Sequence, residues 1–385
     1  MRILLIGAFP FPYPQGSQVF AAGQAAALAR SGVQVALASY GAGEGVLPDG
    51  IDWIPSSRRF APSHRRSGPS LGKPLADAAL VATVVGAQRR RRFDLALAHN
   101  AEAALVAASA RRLTGLRYVY VAHTLLEREL SAYAAQRHRA RLDRLGSRID
   151  RWVAGSADAV ITLSRAAEKA LTPYARGPVA HIPPGLERSE PPSESRRRDA
   201  CRAHGLEPGG FFLYTGNLDG YQELDRLASA AACLAEGAPP VVVATHDARD
   251  ASSFPGLRVF ETDFASARAL AFEAAALVLT RSRTGGFPIK LLNYMETGRP
   301  IVAFDEIAEG LTDDRTACLL LADAGPESIA RALCDLADDR ERAGRIGAAA
   351  LAHLRTAHDW THLADRTLGV LGGLARGSEA GGGPG

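Results

Sequence analysis

The segment from residue 279 to residue 298 carries the most chemistry-bearing side chains. A short apolar stretch ends there, Gly285 and Gly286 follow, and Pro288 opens a predicted helix that stops before Gly298. Free N–H groups and the dipole at a helix start favour an anion, and glycines let a phosphate approach the backbone. Nearby cations would add charge: Arg281, Arg283 and Lys290. Two interpretations remain open, a phosphate-binding loop or an ordinary strand-to-helix turn.

Other polar residues follow predicted strands. Gly216, Asn217 and Gln222 lie between an apolar stretch and a predicted helix, as potential hydrogen-bonding groups for a ligand. In the N-terminal half, Gly16 precedes a helix that Ser17 is predicted to cap. His99 and His123 each come directly after an apolar stretch. One of these histidines is therefore a candidate for catalysis, although buried histidines are often structural.

Patterns for metal-dependent or serine-based chemistry are not found in the sequence. It contains no Asp-x-Asp pair that would hold a divalent cation on a diphosphate, and no recognisable Ser-His-Asp pattern. Its four cysteines are scattered without metal-type spacing, which predicts free thiols. We therefore expect chemistry without a metal or other cofactor, with a diphosphate held by helix starts and cationic side chains.

Alternating apolar stretches and helical patterns predict the elements that position these residues. Strands are predicted at residues 2–7, 33–38, 94–98, 118–122 and 159–163, and a long helix at 137–154. After Pro183, Pro184 and Gly185 the alternation restarts, with strands at 211–215, 241–245, 277–280 and 301–304. Strand–helix–strand units of this spacing imply parallel sheets.

The predicted fold class is α/β, with two doubly wound Rossmann-like domains that face a cleft. Ligands of such sheets bind outside the carboxyl ends of the strands. The predicted boundaries are residues 1–188 for the first domain and 189–357 for the second. A final helix at 358–376 is predicted to cross back to the first domain, and 377–385 to be a disordered tail.

Composition and charge limit the classes of partner. The chain has 385 residues and a net charge of +4, and only three of its cations are lysines. Arginines cluster at 89–92 and at 137–148, either as solvated helix faces or as a patch that contacts an anionic membrane. No motif for nucleic-acid binding accompanies them. No stretch is long enough to span a bilayer, and prolines interrupt the first apolar run, which predicts a cytoplasmic protein.

Several segments together resemble one family along nearly the whole chain. The most specific runs from Gly286 to Val302, GFPIKLLNYMETGRPIV. The others are GSQVF from Gly16, ADAVITLS from Ala157, HIPPGLE from His181, GNL from Gly216, and Asp359-Trp360 before a closing helix. These segments resemble the retaining glycosyltransferases of GT-B fold, and specifically glycosyltransferase family 4.

The resemblance implies retaining transfer of a sugar from a nucleoside-diphosphate sugar to a sugar, lipid-linked or small-molecule acceptor. The second domain would hold the nucleotide and the first domain most of the acceptor. Gly16 would lie near the donor phosphates, His123 would contact the sugar near the bond that breaks, and Asn293 would face the ribose. Gly286 and Phe287 would belong to the donor loop. By analogy, the context would be synthesis of bacterial envelope polysaccharide or glycolipid, at the inner face of the cell membrane.

Four positions depart from the family pattern. The family typically has glutamates where this chain has Gly285 and Asn293, and an arginine and a lysine where it has Asn217 and Gln222. An amide at Asn293 can still bond a ribose hydroxyl. The lost cations normally stabilise the leaving diphosphate, so Arg281, Arg283 or Lys290 would have to replace them. Alternative hypotheses are a catalytically silent scaffold that binds a partner enzyme, or another nucleotide-sugar reaction on this fold.

Overall fold

The protein folds into two α/β units. The computed structural model describes residues 1–13, 16–41, 43, 47, 50–60, 72–132, 138–187, 189–282 and 286–379, without the side chains of 131, 132, 221 and 376–379. Residues 1–187 form the first unit together with 285–287 and the chain from Asp359 onward, whereas the second unit contains the remainder. The predicted class, α/β with two doubly wound parallel sheets, is confirmed.

The first unit contains a parallel sheet of seven described strands in the order β3-β2-β1-β4-β5-β6-β7. Its strands are β1 Arg2–Pro10, β2 Gln34–Tyr40, β3 Asp52–Pro55, β4 Leu95–His99, β5 Tyr118–Ala122, β6 Ala159–Thr162 and β7 Val179–His181. Its helices before residue 188 are α1 Gly16–Arg30, α2 Lys73–Arg91, α3 Asn100–Thr114, α4 Leu126–Ala132, α5 Arg139–Ser156 and α6 Arg165–Leu171.

The second unit repeats this architecture with six described strands in the order β10-β9-β8-β11-β12-β13. Its strands are β8 Phe212–Thr215, β9 Val241–Thr245, β10 Arg258–Glu261, β11 Ala276–Val278, β12 Ile301–Phe304 and β13 Cys318–Leu320. Its helices are α7 Glu194–Ala203, α8 Leu224–Ala232, α9 Phe264–Ala271, α10 Ile289–Glu296, α11 Pro326–Asp338 and α12 Arg340–Ala357.

Burial explains which strands the sequence predicts and which it does not. The central strands are covered on both faces, and Ile3 to Ile6 of β1 are completely buried, so these strands are continuous apolar runs. The four strands absent from the sequence prediction, β3, β7, β10 and β13, are the edges of the two sheets. Most of their residues are half-buried or exposed, so they carry a mixed composition without a clear apolar run.

A last helix, α13 Trp360–Glu379, packs on α1 of the first unit. The centroid of the Trp360 ring lies 5.4 Å from the centroid of the Phe20 ring. It also covers Gly23 and Gly185, where an added Cβ would lie 2.6 and 2.5 Å from indole atoms. The helix continues to Glu379, three residues into the segment predicted as a disordered tail, and 380–385 lie outside the described residues. No helix in the described part of the chain is long and apolar enough to cross a membrane.

Helix α5 packs closely on α4 through Gly146. An added Cβ there would lie 2.5 Å from the backbone N and Cα of Glu127. We therefore expect Gly146→Ala to lower the free energy of unfolding by roughly 1–3 kcal/mol, the usual cost of overpacking. Urea denaturation would measure it. Gly344→Ala on α12, where no atom lies within 4 Å of an added Cβ, is the matched control and should be neutral or slightly stabilising. Equal effects of the two substitutions would contradict the packing argument.

Candidate functional site

In the first unit, candidate residues gather where the strand order reverses, between β1 and β4. Loops at such a point leave the sheet on opposite sides and open a crevice at the carboxyl ends of the strands. Gly16 begins α1 after β1, and His99 is the last residue of β4. His123 directly follows β5, the next strand. The sheet therefore brings together the residues that the sequence predicted at separate strand ends.

The two predicted histidines contact each other directly. The Nδ1 atom of His99 lies 2.9 Å from Nε2 of His123, and Phe20 packs edge-on against the His123 ring at 4.8 Å between centroids. Both histidines are buried. Burial lowers the pKa of His99 to about 3, while burial and the neighbouring His99 lower the pKa of His123 well below its usual value. Both rings are therefore neutral at pH 7, so each can act as a donor or an acceptor but neither supplies positive charge.

The start of α1 differs from its prediction at Ser17. The helix already begins at Gly16, so Ser17 lies in the first turn and is not the N-cap. Its hydroxyl instead accepts a hydrogen bond from Nδ2 of Asn100, at 3.3 Å. Asn100 has a left-handed backbone, with φ of 73°, and its buried Oδ1 has no partner among the described residues. The bond links the start of α1 to the start of α3.

A set of acidic residues near the same strand ends was not predicted from the sequence. We call these residues the acidic cluster. They lie on four successive helices: Asp77 on α2, Glu102 on α3, Glu129 on α4 and Asp150 on α5. Tyr40 donates to Asp77, Lys73 pairs with Glu102 at 2.7 Å, and Thr124 donates to Glu129 at 2.9 Å.

Burial strongly affects the carboxylates of the acidic cluster. It raises the pKa of Asp150 to about 6, even though this side chain accepts the backbone N–H groups of Leu126 and Glu127. Burial and the charge of Glu102 also raise the pKa of Glu129. Because the four residues come from distant parts of the chain, no local motif in the sequence indicates that they meet.

In the second unit, the strand order reverses between β8 and β11. Gly216 follows β8 with φ of +134°, a conformation that favours glycine. Helix α10 follows β11 after a loop, and it begins at Ile289, so Pro288 is its N-cap and not its first helical residue as predicted. No side chain caps this start, which leaves its N–H groups to other partners.

Lys290, in the first turn of α10, has an unusual environment. Its Nζ atom is buried without a hydrogen-bond partner among the described residues and lies 3.8 Å from the centroid of the Tyr214 ring. An added Cβ at Gly216 would lie 2.6 Å from the same Nζ. Burial, and secondarily the charge of Arg281, lower the pKa of Lys290 well below its usual value. The amine is thus held next to a glycine turn and a helix start, and no side chain or backbone group in the described ranges accepts a hydrogen bond from it.

Hydrogen bonds tie together the two loops around Lys290. Glu223, with φ of 55°, accepts bonds from the hydroxyl and the backbone N–H of Ser282. The Thr280 hydroxyl donates to the carbonyl of Gln222, and Nε2 of Gln222 donates to Oδ1 of Asn217 at 2.9 Å. Asn217 and Gln222, both predicted as donor-binding residues, therefore bond to each other. These contacts hold the loop after β8 against the loop after β11.

The other predicted donor residues have different surroundings. Asn293 is half-buried on α10, next to Tyr294, whose hydroxyl accepts the backbone N–H of Thr215 at 2.8 Å. Gly286 and Phe287 group with the first unit, where Gly286 bridges to Thr124. Arg281 is half-buried after β11. Two predicted residues, Arg283 and Gly285, lie outside the described residues.

Within the described ranges, no three His, Cys, Asp or Glu side chains are arranged to hold a metal ion.

Comparisons with known families match both halves of the chain. The family model described as Glycosyltransferase Family 4 matches residues 14–190. The model described as Glycosyl transferases group 1 matches residues 210–339. No curated protein matches the sequence.

Solved structures share the fold at low sequence identity. Sucrose-phosphate synthase from Thermosynechococcus elongatus is 14% identical with a TM-score of 0.77, over 99% of each chain. Anabaena HepE in complex with UDP-glucose is 16% identical with a TM-score of 0.73, over 97% of this chain and 100% of that one. WaaG, a glycosyltransferase involved in lipopolysaccharide biosynthesis, is 16% identical with a TM-score of 0.67, over 95% and 98%. With family models matched in both units and this shared GT-B architecture, the chain belongs to the group 1 glycosyltransferases and is of the family 4 type.

Proposed function

We propose that this glycosyltransferase moves a sugar, with retention, from a nucleoside-diphosphate sugar whose diphosphate binds in the second unit at Lys290. The observation that carries the proposal is the buried Nζ of Lys290, which has no hydrogen-bond partner among the described residues. A buried amine without a partner costs free energy in the unbound protein. A diphosphate would provide the missing acceptors and the opposite charge.

The surroundings of Lys290 support a phosphate ligand. The uncapped start of α10 adds N–H donors and the positive end of the helix dipole. Gly216 keeps the space beside Nζ free of a side chain. HepE, which shares the fold, is described in complex with UDP and with UDP-glucose. By the family resemblance, Asn293 would face the ribose.

Lys290 would also replace the cations that the family resemblance leads us to expect at two other positions. The family cations are replaced at Asn217 and Gln222, which bond to each other. Lys290, supported by Arg281, would supply the positive charge for the leaving diphosphate. No Asp-x-Asp pair is present in the sequence, so we propose transfer without a metal cofactor.

The proposed roles in the first unit follow the family resemblance. His123 would contact the transferred sugar near the bond that breaks, as a neutral hydrogen-bonding group held by His99. The half-buried members of the acidic cluster, Asp77, Glu102 and Glu129, would accept hydrogen bonds from hydroxyl groups of the acceptor, because ionised carboxylates are acceptors only. Such a surface favours a polyhydroxylated acceptor over one that presents phosphates. Envelope polysaccharide or glycolipid is the proposed context, by analogy alone.

A thermal-shift screen tests the donor assignment. Purified protein is heated with uridine, guanosine and thymidine diphosphates and their sugars. We expect one nucleotide class to raise the melting temperature by roughly 3–4 °C at about 100 times Kd. The same class should give a much smaller shift in Lys290→Met. No shift with any nucleotide would contradict the donor site and favour the silent-scaffold hypothesis.

A further inference from the structure

The acidic cluster of the first unit carries more negative charge than its surroundings compensate. Three of its carboxylates are half-buried, those of Asp77, Glu102 and Glu129, and the fourth, that of Asp150, is buried. In the described part of the chain, the only cation paired with any of them is Lys73, which lies 2.7 Å from Glu102. Four carboxylates therefore share one ammonium group.

Repulsion within the acidic cluster centres on Glu102. Burial is the main cause of the raised pKa of Asp77, Glu129 and Asp150, and the charge of Glu102 raises the pKa of each of them further. A raised pKa means that the charged form of a carboxylate is destabilised where it lies. A cation bound among the four carboxylates would relieve this repulsion and lower their pKa values again, which favours its binding.

A buried tyrosine hydroxyl independently indicates a ligand at the same place. Tyr120 of β5 belongs to the core between the sheet and helices α2, α3 and α5. Its side chain is completely buried, and its hydroxyl has no hydrogen-bond partner among the described residues. Burial, and then the charges of Asp150, Glu102 and Glu129, raise the pKa of Tyr120, so the hydroxyl lies near three members of the acidic cluster. Such a hydroxyl costs free energy until a ligand supplies the missing partner.

Helix starts and metal binding do not account for the acidic cluster. Glu102 and Glu129 lie in the first turns of α3 and α4, where a carboxylate suits the helix dipole. Asp77 and Asp150 lie beyond the first turns of α2 and α5, so the dipole does not explain them. No three of these carboxylates are arranged to hold a metal ion. The cluster therefore suits an organic cation whose hydrogen-bond donors are spread over several positions.

We propose that the acidic cluster and the Tyr120 hydroxyl select an acceptor sugar that carries a protonated amino group. This inference rests on the proposed transfer function and specifies its acceptor more closely. An ammonium group supplies three N–H donors and the positive charge that the cluster lacks, whereas a neutral sugar supplies only uncharged donors. Thr124, which donates to Glu129, directly follows His123 in the chain. The cluster thus adjoins the histidine that would contact the transferred sugar.

Calorimetric titration of the full-length protein tests the proposal, with and without the nucleotide that the thermal-shift screen identifies. The probes are glucosamine, which carries the ammonium group, and N-acetylglucosamine and glucose, which do not. We expect glucosamine to bind roughly 10- to 100-fold more tightly than either neutral sugar, because charge-assisted hydrogen bonds replace neutral ones. Equal affinity for glucosamine and N-acetylglucosamine, or no binding of glucosamine, would overturn the proposal. The donor site is read separately by the nucleotide shift, so the two failures can be distinguished.

A pair of charge-neutralising variants locates the binding site. Glu129→Gln keeps an acceptor for the Thr124 hydroxyl but removes one negative charge, and it should weaken glucosamine binding roughly 10-fold. Binding of glucose should change little. Glu168→Gln, at a half-buried position on α6 of the same unit, is the matched control and should leave glucosamine affinity unchanged. Equal loss in the two variants would overturn the assignment to the acidic cluster.

The variant Tyr120→Phe tests the buried hydroxyl. It should weaken glucosamine binding several-fold, while the melting temperature of the free protein stays the same or rises, because the hydroxyl has no partner to lose among the described residues. A lower melting temperature with unchanged glucosamine affinity is the result for a hydroxyl that bonds a structural water. That result would overturn the part of the proposal that concerns Tyr120.

Discussion

Replacing Lys290 by methionine is expected to reduce kcat/KM for sugar transfer by about 100- to 1000-fold. The substitution keeps an unbranched apolar stem over Tyr214 but removes the charge that we assign to the diphosphate. Loss of one preorganised charge-assisted contact in an active site typically raises the barrier by about 3–4 kcal/mol. Transfer would be measured as nucleotide release with the donor class that the thermal-shift screen identifies.

The same variant should be at least as stable as the native protein without donor. Nζ of Lys290 is buried without a hydrogen-bond partner among the described residues, so removing it should not cost stability. If Lys290 had only a structural role, the variant would lose stability and activity together. Lys169→Met, at an exposed position on α6, is the matched control and should change neither property.

Donor binding should also take up a proton at Lys290. Burial holds the pKa of the free amine low, and a bound diphosphate would raise it. At pH values between the pKa of the free amine and the pKa of the amine with bound diphosphate, donor affinity should fall as the pH rises. Calorimetry in two buffers of different ionisation enthalpy would detect the uptake, and its persistence in Lys290→Met would contradict the assignment.

The second large effect is expected from the His99–His123 pair, as a loss of stability in mild acid. The pKa of both rings in the folded protein lies below the ordinary value of 6.5. The unfolded chain therefore binds protons that the folded protein does not, once the pH falls below about 6.5. The two neutral rings therefore contribute fully to the free energy of unfolding above that pH. This contribution is lost as the pH falls toward 3, at up to about 1.4 kcal/mol per pH unit for each ring.

Denaturant unfolding at a series of pH values would measure this slope. The acidic cluster acts in the opposite direction, because burial raises the pKa of Asp150 to about 6 and its protonation favours the folded state. Comparing the native protein with His99→Leu cancels that background. Between pH 6 and pH 4, the free energy of unfolding of the variant should fall less steeply with decreasing pH, by the equivalent of about one bound proton. An unchanged slope would show that His99 is already protonated, or is not buried, in the folded protein.

The sequence predicted the central strands and the histidine positions because burial on both faces leaves an apolar run that ends where the strand ends. That His99 and His123 share a hydrogen bond could not be predicted, since it depends on β4 and β5 being neighbours. The acidic cluster was missed for the same reason, as Asp77 and Glu129 belong to helices that only the fold brings close. Ser17 was assigned as a cap because its residue type fits, but the structure begins the helix one residue earlier.

The role of Lys290 could be predicted from the sequence only in part. Its place in a strand–loop–helix segment predicted a role near a phosphate. Its burial against Tyr214 and Gly216 could not be predicted, because both residues precede it by more than seventy positions and lie on a different strand and loop. The hydrogen bond between Asn217 and Gln222 could not be predicted either, because it depends on how the loop after β8 folds.

The packing of α13 on α1 has a consequence for the order of events during synthesis. Trp360 covers Phe20, Gly23 and Gly185, so part of the first unit is completed by residues that leave the ribosome after the whole second unit. The second unit is an insertion in the chain of the first, between residue 187 and Asp359. It can therefore finish folding before the first unit does. A nascent chain arrested before Trp360 would expose this apolar surface and should be recognised by chaperones until α13 emerges.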